Sequence, residues 1–237
     1  MTDNNVSSNM IKNEHEIQSI SRSAALGDKC FSHILGFIEP GMSEKQIAAE
    51  IERYLFEHGA EKLAFDTISV SGERSCLPHG EPSDRIVKKG EFLTLDFGAV
   101  VDGYCGDMTR TIAIGSVTPL MRKIYDIVLE SQLAAIDVIK AGVSCYDADK
   151  TARDIIVKAG YGDNFTHGLG HGIGTQVHEE PRLNTKSEEI LQKNMAITIE
   201  PGIYIPDHFG VRIEDLAIVT DFGIINKVNS KKDLIIL

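Results

Sequence analysis

The sequence predicts one α+β domain over residues 11–237, a duplicated helix–helix–hairpin unit whose helices cover a largely antiparallel sheet. Three observations predict it. Paired segments of helical period occur in both halves, each pair joined through a Pro-Gly or Ala-Gly break that ends in Ser. Each pair is followed by apolar, β-type runs that fold back at a turn signal. The stretch between the halves, 115–119, is too short to separate independent domains.

The elements follow in order. Residues 1–10 (MTDNNVSSNM) are polar and without period, so a disordered N-terminal tail is expected there. Ile11, Ile17, Ile20, Ala24, Ala25, Leu26, Phe31 and Leu35 fall at roughly helical spacing, and 11–35 reads as helix. After Glu39-Pro40-Gly41, Ser43 opens a second helix, with Gln46 three residues on to complete a capping box. Ile47, Ile51, Tyr54 and Leu55 form its apolar face, and Gly59 stops it. Residues 92–101 read as a strand that turns at Asp102-Gly103, a favoured two-residue hairpin signal. The second half repeats the plan. A helix over 120–140, the break Ala141-Gly142-Val143-Ser144 and a helix over 145–159 lead to Gly160. Strands over 196–205 and 211–219 then flank a turn at 206–210. Ser144 stands 101 residues after Ser43 (144 − 43).

Composition narrows the function classes. Hydrophobic residues make up 42% and charged residues 25%, as in ordinary soluble globular proteins. A net charge of −11 argues against nucleic acid or an anionic membrane as partner. No apolar run approaches bilayer-spanning length. Cys30, Cys76, Cys105 and Cys145 are scattered with no C-x-x-C pair, which predicts reduced thiols and a cytoplasmic location.

Four acids and a histidine carry the chemistry. Asp96 lies in Leu-Thr-Leu-Asp-Phe-Gly (93–98) and Asp107 in Gly-Asp-Met-Thr-Arg (106–110). Glu200 lies in Ile-Thr-Ile-Glu-Pro-Gly (197–202) and Glu214 in Val-Arg-Ile-Glu-Asp (211–215). His171 sits in Gly-Leu-Gly-His-Gly-Ile-Gly (168–174), which matches neither the dinucleotide nor the P-loop spacing in context. Acids inside apolar β-type runs are costly unless a cation meets them. With a turn at Asp102-Gly103, Val101 faces Tyr104, Asp96 faces Thr109, and Asp107 becomes a diagonal neighbour of Asp96. Glu200 and Glu214 are equidistant from Asp207 and should meet across a second hairpin. One imidazole with four oxygen donors suits Mn, Co, Fe(II) or Zn rather than Ca, copper or an iron–sulfur cluster. Two such ions could activate water and polarise a carbonyl at once, and amide hydrolysis is the natural inference.

These residues, in this order and spacing, resemble the pita-bread metallopeptidases, which include methionine aminopeptidases, Xaa-Pro aminopeptidases, prolidases and the non-metal creatinases. The resemblance covers about 11–237 and implies a pita-bread, creatinase/aminopeptidase-like fold with pseudo-two-fold symmetry. It implies that Asp96 chelates one metal, that Asp107 and Glu214 bridge two, and that His171 and Glu200 hold the other. Manganese is the first expectation for both ions. Glu200 would also be the base or proton shuttle. His79, in Leu-Pro-His-Gly, resembles a histidine that meets the peptide or its leaving group. His178, in Val-His-Glu-Glu-Pro, resembles one that stabilises the tetrahedral intermediate, and His167 resembles a wall of the substrate pocket. His15, His33, His58 and His208 fit no motif.

Leu-Pro-His-Gly (77–80), Phe-Asp-Thr-Ile-Ser-Val-Ser-Gly-Glu-Arg (65–74) and Arg212 resemble the Xaa-Pro branch. Methionine enzymes usually carry Cys-His-Gly at that histidine and Gln at the Arg212 position. On a strand, Arg212 would share a face with Glu214 and steady it. The resemblance thus implies an exopeptidase acting on peptides with proline second, and it leaves room for a homodimer. Branch members commonly carry a separate N-terminal domain, and this chain begins where their catalytic domain begins. A methionine aminopeptidase and a catalytically silent binding module on the same fold are the alternatives, with a creatinase-like hydrolase third.

Overall fold

A computed structural model describes residues 9–39 and 41–237. In the first half, helix α1 (Glu14–Phe37) starts at Asn13, whose side chain accepts from the Glu16 amide while Glu16 reaches back to the cap. Helix α2 (Glu44–Glu57) starts at the expected Ser43–Gln46 capping box. Strands β1 (Lys62–Leu63) and β2 (Ile68–Ser71) follow, then a 3-10 turn at Gly72–Cys76. β3 (Glu91–Phe97), β4 (Ala99–Val101), β5 (Tyr104–Cys105) and β6 (Met108–Ile114) complete the half. Val101 pairs with Tyr104 and Asp96 with Thr109, as the hairpin register requires. Asp102 and Gly103 both adopt positive φ (50° and 77°), the conformation of a type I′ turn.

The second half opens with α3 (Pro119–Val138), capped by the Thr118 hydroxyl, and α4 (Cys145–Lys158), capped by Ser144. The strands are β7 (Gly170–Gly172), β8 (Glu179–Leu183), β9 (Ala196–Ile199), β10 (Gly202–Ile205), β11 (Phe209–Arg212), β12 (Asp215–Val219) and β13 (Ile224–Asn226). Gly202 faces Arg212 and Ile205 faces Phe209, so this hairpin also centres on Asp207. The duplication extends to the caps. Ser43 bridges Ile86 as Ser144 bridges Ile190. The Glu44 amide bonds the Arg85 carbonyl at 3.0 Å, and the Cys145 amide bonds the Glu189 carbonyl at 2.8 Å.

The sheet is not one continuous surface. Its ladders run β2-β3-β6, β1-β4-β5, β13-β12-β9-β7-β8 and β10-β11, and each named pairing is antiparallel. The runs expected as single strands over 92–101 and 196–205 are each two strands. At Gly98 the neighbouring chain comes so close that a Cβ would lie 1.9 Å from the Gly106 carbonyl oxygen. At Pro201 the ladder has no amide hydrogen to donate. These breaks matter because Asp107, Glu200 and Glu214 lie beside them.

Apolar faces of α1 and α2 pack with β3 residues such as Leu93, Leu95 and Phe97. Ile124 and Tyr125 of α3 pack with Phe92, Phe209 and Val211, while Ala148 and Ala152 of α4 pack with Ile197 and Ile199. The halves are stitched at the sheet's centre. The Glu214 amide bonds the Thr109 carbonyl at 3.1 Å, and fully buried Arg110 donates to Asp215 at 2.7 Å. Against the pull of burial, Arg110 and Lys232 hold the Asp215 carboxyl below its ordinary pKa. Most of the expected tail, residues 1–8, lies outside the described residues. Asn9 and Met10 are helical, and Met10 packs against the core around Met195. No described helix is long and apolar enough to cross a membrane.

Candidate active site

The four acids and His171 converge on one cleft of about 590 Å³, lined by both halves. Asp96 arrives on β3, Asp107 from the β5–β6 junction, His171 on β7, Glu200 just past β9, and Glu214 between β11 and β12. Gly170 lets β7 press against β9, since a Cβ there would sit 2.0 Å from the Thr198 carbonyl oxygen. Gly172 does the same toward β8, where a Cβ would sit 2.1 Å from the Glu180 carbonyl oxygen.

Ligand atoms of Asp107, His171 and Glu214 all lie within 4.8 Å of one another. His171 Nε2 is 3.6 Å from Asp107 and 3.3 Å from Glu200. Its Nδ1 meets the Gly172 carbonyl at 3.0 Å. A carbonyl only accepts, so Nδ1 carries the hydrogen and Nε2 presents a lone pair to the acids. Burial pushes the His171 pKa down to about 3, which keeps that lone pair free at neutral pH. Thr198 ties the pair together, accepting from the His171 amide at 3.1 Å and donating to Glu200 at 3.1 Å.

Asp96 and Glu200 line the same cleft outside that tight triad. Asp96 Oδ1 is buried with no hydrogen-bond partner among the described residues, an orphan acceptor of the kind a cation satisfies. Burial first, and then the charges of Glu214, Asp96 and Glu200, push the Asp107 carboxyl well above its ordinary pKa. Burial and the neighbouring charges of Glu200 and Asp96 do the same to Glu214. Burial raises Glu200 to about 7. Buried acids crowded this way resist ionisation until cations offset their repulsion. The donor set fits a divalent metal ion on these grounds.

The other expected site residues line the same cleft. The His178 ring stands edge-on to His171, with centroids 4.5 Å apart. His79 is exposed at the rim, on the loop after the 3-10 turn. His167 is half-buried, its Nδ1 on the Gly168 carbonyl and its Nε2 2.8 Å from the Tyr204 hydroxyl. Because Nδ1 must donate, Nε2 accepts from Tyr204, whose oxygen accepts from Arg212 at 2.8 Å. Burial and then the Arg212 charge depress the His167 pKa to about 4.

Arg212 does not bond Glu214 directly. Its Nη2 donates to Asp96 at 2.6 Å, and its Nε donates at 3.0 Å to Thr109, which in turn donates to Glu214 at 2.6 Å. The strand ends at Arg212, so the alternation that would align residues 212 and 214 is interrupted. Sequence reasoning missed Tyr204 and Thr109. The hairpin register holds a signal for Tyr204, which lies two residues beyond Gly202, the cross-strand partner of Arg212. Asp149 and Arg153 of α4 were also missed: Asp149 accepts from the Leu169 amide at 2.9 Å, and Arg153 donates to the His167 carbonyl at 2.7 Å.

Residues 18–221 match the profile of metallopeptidase family M24. The chain belongs to family M24. A 43% identical relative, the Xaa-Pro dipeptidase of Pyrococcus furiosus, aligns with 95% of this chain, which spans 65% of that relative. Among solved M24-like structures, the Xaa-Pro dipeptidase from Bacillus anthracis superposes with a TM-score of 0.97 at 47% identity, covering 98% of this chain and 65% of that one. The X-Pro aminopeptidase from Thermotoga maritima gives 0.97 at 38% identity, covering 100% and 67%. The chain thus spans about two thirds of the length of the curated relatives it matches. The pita-bread architecture of M24 is the fold described above.

Proposed function

We propose that the chain is the catalytic unit of a dinuclear metal-dependent exopeptidase that cleaves the bond between an N-terminal residue and a following proline. The carrying observation is the buried cluster of Asp107, His171 and Glu214, set in a cleft with Asp96, Glu200 and three histidines. Asp96, Asp107, His171, Glu200 and Glu214 would hold the two ions, with manganese the first candidate and cobalt, zinc or Fe(II) the others. Bound there, the ions would supply Lewis acidity to the carbonyl and lower the pKa of a water.

The chain's own groups do the rest. Glu200, its carboxylate facing His171 in the cleft, takes the proton of the attacking water. It passes that proton to the prolyl nitrogen as the carbon–nitrogen bond breaks. His178 donates a hydrogen bond to the carbonyl oxygen as negative charge develops on it. His79 and His167 bound the peptide on either side. A proline nitrogen carries no hydrogen in the peptide, so a site that positions the carbonyl rather than gripping an amide suits it. Relatives named Xaa-Pro dipeptidase and X-Pro aminopeptidase support this substrate class. Four free cysteines suit a reducing cytoplasm.

The test is a panel of Xaa-Pro dipeptides, Xaa-Pro tripeptides and Met-Ala peptides with added Mn or Co. Preference for Xaa-Pro substrates supports the reading. Preference for Met-Ala peptides replaces it with a methionine aminopeptidase.

A further inference from the structure

A fully buried carboxylate outside the acid cluster has no part in the chemistry above. Glu44, the first residue of α2, is completely shielded from solvent. Its Oε1 accepts from the Ser71 amide at 2.7 Å and the Ser71 hydroxyl at 2.9 Å. Its Oε2 accepts from the Ser83 amide at 3.1 Å, the Ser83 hydroxyl at 2.6 Å and Arg74 Nε at 3.1 Å. Five donors therefore converge on one side chain. A carboxylate with this many donors belongs to the strong, charge-assisted class, and losing it leaves several buried groups unpaired.

The placement of those donors gives the carboxylate its meaning. Ser71 and Ser83 bracket the segment that carries His79 to the cleft rim. Arg74, held by Glu44, reaches across that segment and donates to the Glu81 carbonyl at 2.6 Å. The α2 N-terminus closes the same loop through the Lys45 amide on the Ser83 carbonyl at 3.1 Å. His79 itself is exposed and has no hydrogen bond among the described residues to fix it, so its position depends on how firmly 77–81 is held.

We propose that Glu44 is a positioning residue for His79, clamping both ends of the loop that presents this imidazole to substrate. The inference rests on the peptidase reading of the cleft. A merely structural anchor would lower activity regardless of whether His79 is present. A positioning residue acts through His79 and loses its effect once the imidazole is gone.

The test uses the full chain with manganese, Xaa-Pro dipeptide turnover and amide exchange read by mass spectrometry. Glu44→Gln keeps the shape but turns an amide toward donors. It should lower kcat/KM about 10- to 100-fold. Exchange should speed up at 77–83 and stay unchanged around His167 and His178. Made in a His79→Ala background, the same substitution should cost less than about threefold. Glu44→Asp should recover part of the loss. Ser83→Ala, which removes one of the five donors to Glu44 and the acceptor of the Arg85 amide, should shift exchange and kcat/KM the same way by less, and it carries the test if Glu44→Gln does not fold. Equal losses in both backgrounds, or unchanged exchange at 77–83, overturn the proposal. If the wild-type chain cleaves no peptide, exchange alone decides. Loosening at 77–83 then retains the clamp while refuting the peptidase reading, and no loosening overturns the clamp.

Discussion

Arg212 Nη2 donates to Asp96 Oδ2 at 2.6 Å, joining a strand of the second half to a strand of the first at the floor of the cleft. Both side chains are almost fully buried, and the same guanidinium also holds Thr109 and Tyr204. Three fixed directions are met by one planar fork, which an ammonium cannot reproduce. Arg212→Lys is expected to weaken manganese binding about 10- to 100-fold, because Asp96 and Glu214 lose their supports. Arg212→Met should also cost about 3–5 kcal/mol of stability by stranding a buried acid. Calorimetric titration with manganese and urea unfolding check the two effects.

Without metal, the acid cluster makes folding sensitive to alkali. Asp107 and Glu214 are held above their ordinary pKa and Glu200 at about 7, so as pH falls through about 7 the folded state binds protons that the unfolded one does not. Stability then rises over the same fall in pH, by up to about 1.4 kcal/mol per pH unit for each carboxyl taking up a proton. Below about pH 6.5 the sign opposes, because His167 and His171 stay neutral when folded but protonate when unfolded. Urea midpoints in a chelator at pH 8 and pH 6.5 measure the rise. Saturating manganese should abolish it, since the bound ions favour the charged carboxylates.

The second half has its own buried anchor. Asp149 is fully buried, takes a bidentate contact from Arg153 at 2.7 and 2.9 Å, and holds the backbone leading to His171. Asp149→Asn should destabilise the chain by about 2–4 kcal/mol, with the urea midpoint as readout.

Thiol reactivity should be confined to one position. Burial pushes Cys30 and Cys145 up to about 12 and Cys105 up to about 11, while Cys76 is only half-buried. Reaction needs the thiolate and access. A native chain is expected to react rapidly with a disulfide reagent at Cys76 alone, and peptide mapping after alkylation checks it.

How much of this was legible in the sequence depends on range. Both hairpin registers were, because a turn fixes the pairing on either side, and so Asp96 opposite Thr109 followed from Asp102-Gly103. The capping boxes are local signals: the one at Ser43 was found, and Asn13-x-x-Glu16 carried the same mark unread. All five acid and imidazole positions, and the three histidines, reached one cleft. The true partner of Arg212 was hidden by a strand break at 213–214 that periodicity does not reveal. Glu44 against Ser71 and Ser83, and Asp149 against Leu169, are contacts across 20 residues or more with no periodic signature.

The account stands on two divalent cations held together by both halves of the fold. Crystals soaked with manganese and measured at its absorption edge test this directly. Two anomalous peaks are expected, enclosed by Asp96, Asp107, His171, Glu200 and Glu214. An absence of any peak between Asp107 and Glu214 under saturating manganese would contradict it.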